Sequence, residues 1–194
     1  MPIHFRDLDI LPQVSGAASV LIVPCQMCPA VTVAVREGKP FIQLFKNFLK
    51  SIPFELYIEN LRSDFTREGI HTDVFQSPFP HQWFLCMWPP GQCRRLKALA
   101  EPYDAVVVLG CDSATETVRA LIGSDRRKIV QGMAVTGIMN ARMKFQFPFD
   151  IRFEDCRIIP IPQDKEQVSR QMPTSARETA GSRSMTSIPK FSSG

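Results

Sequence analysis

Two short, uninterrupted apolar runs constrain this chain more than any other feature. Residues 19–24 (SVLIVP) and 104–109 (DAVVVL) lack polar/apolar alternation. Runs of that length and type read as strands buried on both faces, the pattern of a parallel sheet. Between them the rhythm is helical. In 53–68, Phe54, Tyr57, Ile58, Leu61 and Phe65 recur on one helical face, Pro53 suits a first helical position, and Gly69 a stop. Residues 40–50 (PFIQLFKNFLK) carry a helical apolar rhythm, and 92–101 reads as a short helix. A further helix runs to Ile122, its start marked by Ser113 and Glu116 in capping-box spacing. Residues 70–75, 128–130 and 157–161 are additional strand candidates, while 31–35 (VTVAV) fits either a strand or a helix start. Strands alternating with helices predict an α/β fold with a mostly parallel sheet and flanking helices.

The alternation ends near residue 163. Residues 1–163 are expected to form a single α/β domain, and about 160 residues can bury a sizeable core. From 164 to 194 the chain is rich in Ser, Thr, Arg and Gln, a composition that cannot offset its ordering entropy, so a disordered tail is expected. The formal net charge of +4 divides into +2 for this tail and +2 for the rest. A folded part so near neutrality carries no electrostatic footprint for nucleic acid. No apolar run approaches the length of a membrane span. The N-terminus has Arg6, Asp7 and Asp9 where a signal peptide needs an apolar core, so a cytoplasmic location is expected. No Walker sequence, GxGxxG or Gly-x-Ser-x-Gly elbow is present, so nucleotide binding and serine catalysis have no motif behind them.

The six cysteines carry most of the chemical information: Cys25, Cys28, Cys86, Cys93, Cys111 and Cys156. In a cytoplasmic domain with its own core, clustered cysteines serve more often as metal ligands or redox groups than as disulfides. Cys25 and Cys28 form a Cys-x-x-Cys directly after the first buried strand, and Cys111 follows the second at a helix start. Strand carboxyl ends are where open parallel sheets bind ligands, and a helix N-terminus favours the negatively charged thiolate. These cysteines are therefore expected at the carboxyl edge of the strands. Thiolates suit zinc and iron–sulfur clusters equally. The alternatives are plain packing, since thiols are often buried, and a nucleophilic role for Cys111. His81 neighbours Cys86 in a loop, 79–88, whose aromatics Phe79, Trp83, Phe84 and Trp88 suit either a lid or a metal-free partner-docking patch. Arg142, Lys144 and Arg152 form a basic strip, solvated or anion-binding.

PCQMC after the first strand, Cys93 ahead of DAVVVLGCDSATETVRALIG, and the closing RFEDC together resemble the C-terminal domain family of methylenetetrahydrofolate reductase. That family includes a small zinc- or iron–sulfur-binding subunit that accompanies a flavoprotein reductase. The resemblance spans residues 18–158 and rests on short motifs in order. It implies that Cys25, Cys28, Cys93, Cys111 and Cys156 line a metal site, with Cys86 a further candidate. It also implies a non-catalytic accessory role beside a larger oxidoreductase subunit, such as a flavoprotein, in electron transfer or assembly. The chain departs from the family pattern twice. Arg157, Ile158 and Ile159 follow Cys156 without a second cysteine, and Asp112 stands where a glycine usually follows the mid-domain cysteine.

Overall fold

Sheet-forming segments occupy both ends of the described chain, and only the middle follows the parallel pattern. The computed structural model describes residues 3–43, 50–76, 88–123, 127–147 and 149–161. In chain order the elements are β1 (Ile3–Asp7), a 3-10 turn (Leu11–Gln13), β2 (Ser19–Pro24), α1 (Cys28–Arg36), β3 (Ile42–Gln43), α2 (Ile52–Arg67) and β4 (His71–Val74). Then come α3 (Pro90–Ala100), β5 (Ala105–Leu109), α4 (Asp112–Ile122), β6 (Lys128–Gln131), β7 (Met133–Gln146) and β8 (Asp150–Pro160). The expected parallel sheet is present as one four-stranded sheet in the order β4-β2-β5-β6. A second four-stranded sheet, β1-β7-β8-β3, is antiparallel throughout. The fold is therefore mixed α/β, and "mostly parallel" holds for only one of the two sheets. Among the described residues no helix is long and apolar enough to cross a membrane.

The continuous apolar runs are explained by burial on both faces. Val20, Ile22, Ala105, Val107, Leu109 and Val130 pack toward α1, α2 and residues of the antiparallel sheet, including Phe5, Met133 and Met139. Leu21, Val23, Val106 and Val108 point the other way, against Leu96 and Ala100 of α3 and Ala114 and Val118 of α4. With period-2 alternation, neither face of β2 or β5 meets water, so neither face needs polar residues. Residues 31–35 resolve as helix within α1, where Ala30 through Ala34 are all buried. The helical rhythm of 40–50 misleads at its start. Ile42 and Gln43 pair with Ile151 and Asp150 on the edge of the antiparallel sheet, and 44–49 lie outside the described residues.

β7 and β8 form a long hairpin whose outer part leaves the core. Arg142 and Lys144 pair with Asp155 and Glu154 at 2.6 and 2.9 Å, so two of the three cations of the basic strip are neutralised across the hairpin, while the buried Nε of Arg152 has no hydrogen-bond partner among the described residues. Phe145, Phe147 and Phe149 near its tip are exposed.

At the opposite, amino edge of the parallel sheet, Asp104 ties β2 to β5. Its Oδ2 accepts hydrogen bonds from the amides of Ala18 and Ser19 at 2.9 and 3.0 Å and from the Ser19 hydroxyl at 3.0 Å. The Ser19 hydroxyl first, then the two amides, hold the carboxyl below its ordinary pKa. A depressed folded-state pKa adds stability that is present above the unfolded value of about 3.9 and is lost as pH falls through the folded value. Asp104→Asn should therefore be less stable than wild type at pH 7, and the difference should shrink as pH falls below the unfolded value of about 3.9 and through the lower folded-state value. Urea midpoints measured across that range check this; a gap independent of pH would mean the charge contributes nothing.

Candidate functional site at the carboxyl edge

The order β4-β2-β5-β6 contains one reversal. The chain moves from β2 outward to β4 through α1 and α2, then crosses back to β5 and on to β6 through α3 and α4. The two directions place α1 and α2 on one face of the sheet and α3 and α4 on the other. The reversal lies between β2 and β5, so the loops leaving their carboxyl ends part to opposite faces of the sheet. In sheets of this kind such a switch point is the usual place for ligands to bind.

Cys25 and Cys111 stand at that point. The Cys25 amide donates to the Leu109 carbonyl at 2.9 Å, extending the β2–β5 ladder by one residue. Gly110 packs so closely that a Cβ there would lie 3.5 Å from the Cys25 Cβ and 2.8 Å from that of Ala114. Cys111 follows immediately and is the N-cap of α4, with its carbonyl accepting from the Thr115 amide at 2.9 Å. It packs against the apolar clusters on both faces of the sheet, as a residue at the sheet rim must. Cys25 is buried. The capping box expected at Ser113 is not formed: the helix begins earlier, Ser113 lies in its first turn, and Glu116 pairs with Arg119.

Two more cysteines occupy helix starts at the same edge. Cys28 is the first residue of α1, and Cys93 lies in the first turn of α3, its Sγ 3.9 Å from the Trp88 carbonyl oxygen. Trp88 stacks at a tilt on Phe75 just beyond β4, with ring centroids 5.2 Å apart. Cys156 departs from the expectation. It lies on β8 of the antiparallel sheet, where burial first and the adjacent Asp155 carboxylate second raise its thiol pKa, against thiolate formation. Cys86 and His81, with Phe79, Trp83 and Phe84 of the aromatic loop, lie outside the described residues, as does the 164–194 tail.

None of the five described cysteines is part of a disulfide. Their donor chemistry suits zinc or an iron–sulfur cluster. Among the described residues, which do not include Cys86, no three of His, Cys, Asp and Glu are grouped to hold a metal ion. What the edge presents is a pair, Cys25 and Cys111, flanked by two thiols on neighbouring helix starts.

The same edge holds polar groups that the sequence did not signal. Among the described residues, four buried side-chain atoms lack a hydrogen-bond partner, and three of them belong to it: Gln26 Oε1, Ser51 Oγ and Gln92 Nε2. Gln26 lies in the Cys-Gln-Met-Cys loop, its Nε2 donating to Glu55 of α2 at 2.9 Å. Ser51 is the N-cap residue of α2, yet its hydroxyl makes no capping bond. Gln92, only 4% exposed, continues the buried Leu96–Ala100 stripe of α3 toward the carboxyl edge. A buried polar atom left unpaired costs about 1–3 kcal/mol, a cost that a bound group can relieve. Glutamine and serine at such positions look like ordinary helix and loop residues in a sequence, so only packing reveals them. Compared with family models, curated proteins and solved structures, the chain matches none.

Proposed function

We propose that the cysteine-bearing edge at the carboxyl ends of β2 and β5 is the working site, and that the chain acts there through its thiols as an accessory subunit of a larger oxidoreductase. The observation that supports this is the placement of Cys25 and Cys111, 86 residues apart in sequence, on adjoining strand ends at the reversal of strand order. The unpaired polar atoms gathered at the same edge add to it. The accessory role, with a flavoprotein as the type of partner, is what the resemblance to the methylenetetrahydrofolate reductase C-terminal family implies. Zinc or an iron–sulfur centre is the cofactor class that the thiols suit, with Cys25, Cys28, Cys93 and Cys111 as the candidate ligands. Because the described thiols are not preassembled as a ligand set, no electron-transfer step follows from their geometry.

The test is metal, acid-labile sulfide and thiol content of the full chain purified without oxygen, for wild type, Cys25→Ser and Cys111→Ser. Stoichiometric zinc, or iron with sulfide, lost in both variants, is the expected result. Wild type without metal that forms a Cys25–Cys111 disulfide under mild oxidant would keep the thiol site and remove the metal from it. Full metal retention by both variants, or a wild type in which neither metal nor thiol reactivity involves these residues, overturns the reading.

A further inference from the structure

Away from the thiols, a cavity of about 500 Å³ opens between the outer face of α3 and the end of α4. Its lining is Arg94, Lys97, Ala98 and Glu101 of the α3 face, Ile122 and Gly123 at the α4 terminus, and Arg127 ahead of β6. Arg94, Lys97, Ala98 and Glu101 fall at i, i+3, i+4 and i+7, so they share one face of α3. That face adjoins the buried Gln92–Leu96–Ala100 stripe, and the small Ala98 side chain leaves the hollow between the cations. Among the described residues, three cations and one carboxylate therefore line the hollow.

Packing accounts for only part of this charge. Arg127 Nη2 donates to the Glu101 carbonyl at 2.7 Å, which satisfies the end of α3 and fixes the guanidinium at the rim. The carboxyl ends of α3 and α4 each contribute the equivalent of about half a negative charge, against an excess of two positive charges among the described lining residues. Among the described residues, neither Arg94 nor Lys97 has a carboxylate within ion-pair distance, whereas Arg142 and Lys144 on the hairpin both do. The volume falls in the usual range for a small-molecule site, about 300–1,000 Å³. Ala98 and Ile122 supply apolar wall beside the cations.

We propose that this cavity binds a small phosphate-bearing molecule, its phosphate held by Arg94 and Lys97 with Arg127 at the rim and its organic part against Ala98 and Ile122. An arginine meets a phosphate through two parallel N–H donors, and a lysine adds a mobile point charge, so the pair suits a phosphate better than a single carboxylate.

Calorimetric titration of the full chain with inorganic phosphate, pyrophosphate and AMP tests the proposal. Wild type should bind all three, AMP more tightly than inorganic phosphate because of the apolar wall. Arg94→Ala/Lys97→Ala should weaken pyrophosphate binding at least tenfold and flatten its salt dependence, while the circular dichroism spectrum stays unchanged because both residues are exposed. Arg142→Ala/Lys144→Ala removes the same formal charge elsewhere and should leave binding within twofold of wild type. Equal weakening by both double variants would show a net-charge effect and overturn the site. Absence of pyrophosphate binding by wild type, binding unchanged in Arg94→Ala/Lys97→Ala, or AMP no tighter than inorganic phosphate would each overturn the proposal as stated.

Discussion

Phe54→Ala is expected to cost about 3–5 kcal/mol of folding stability, the usual range for truncating a fully buried phenylalanine. Phe54 has no exposed surface and sits in the core shared by β2, α1, α2 and the antiparallel sheet. Its ring stacks on Tyr57 at 6.0 Å and 10°. Tyr57 in turn donates to Asp7 of β1 at 3.2 Å and lies under the Arg36 guanidinium at 5.7 Å. Burial first and the Asp7 carboxylate second push the Tyr57 phenol pKa up, so it remains a neutral donor at any working pH. Truncation therefore leaves a cavity and also loosens the residue that ties α2 to β1 and α1. A domain of this size has a total stability of about 5–15 kcal/mol, so the loss is a large share of it. Urea unfolding followed by circular dichroism should show a much lower midpoint with little change in slope. A loss below about 1 kcal/mol would mean that the core is not packed around this ring.

Gly110→Ala should cost about 1–3 kcal/mol, and the cause is space. The glycine has no positive φ, yet its added methyl would lie 2.8 Å from the Ala114 Cβ, 3.5 Å from the Cys25 Cβ and 3.6 Å from a Val108 methyl. None of these is the far end of a flexible side chain. The first turn of α4 must move outward, and Cys111 moves with it, away from Cys25. The variant should therefore lose stability and also show altered reactivity or metal content at the thiol pair. Gly91→Ala is the control: nothing lies within 4 Å of its added methyl, and alanine in a helix is favoured over glycine by about 0.5–1 kcal/mol. If both variants have the same stability, the close approach of β2, β5 and α4 is not as described.

Some elements were legible in the sequence because their causes are local. β2 and β5 are continuous apolar runs, α2 has a complete apolar stripe between Pro53 and Gly69, and these appear where expected. Of the antiparallel sheet only 157–161, overlapping the end of β8, was legible. β1 pairs Ile3 with Ile138, and β7 runs from buried Met133 to the exposed Phe145, so its pattern changes along its own length. Preference for such strands depends on cross-strand neighbours more than on the residues themselves. The same dependence explains Ile42 and Gln43, helical in rhythm but held in a strand by Asp150 and Ile151. Ser113 and Glu116 have the spacing of a capping box, yet Gly110 lets the chain approach Ala114 closely, and the helix starts at Asp112 with Cys111 as its cap.

The candidate site divides along the same line. That Cys25 and Cys111 follow buried strands was readable from residue order, because a strand that is apolar throughout must lie inside a sheet. That these two strands are neighbours, with the reversal of order between them, is a property of the sheet as a whole. Cys93 reaches the same edge because α3 is a crossover helix, while Cys156 goes to the other sheet because β8 pairs with β7. The unpaired Gln26, Ser51 and Gln92 atoms and the cations around Ala98 were likewise invisible in the sequence. Sequence alone determined which segments must be buried, since hydrophobic patterning is a local property. Tertiary structure decided which thiols and charges meet, since that depends on strand order and on contacts between residues far apart in the chain.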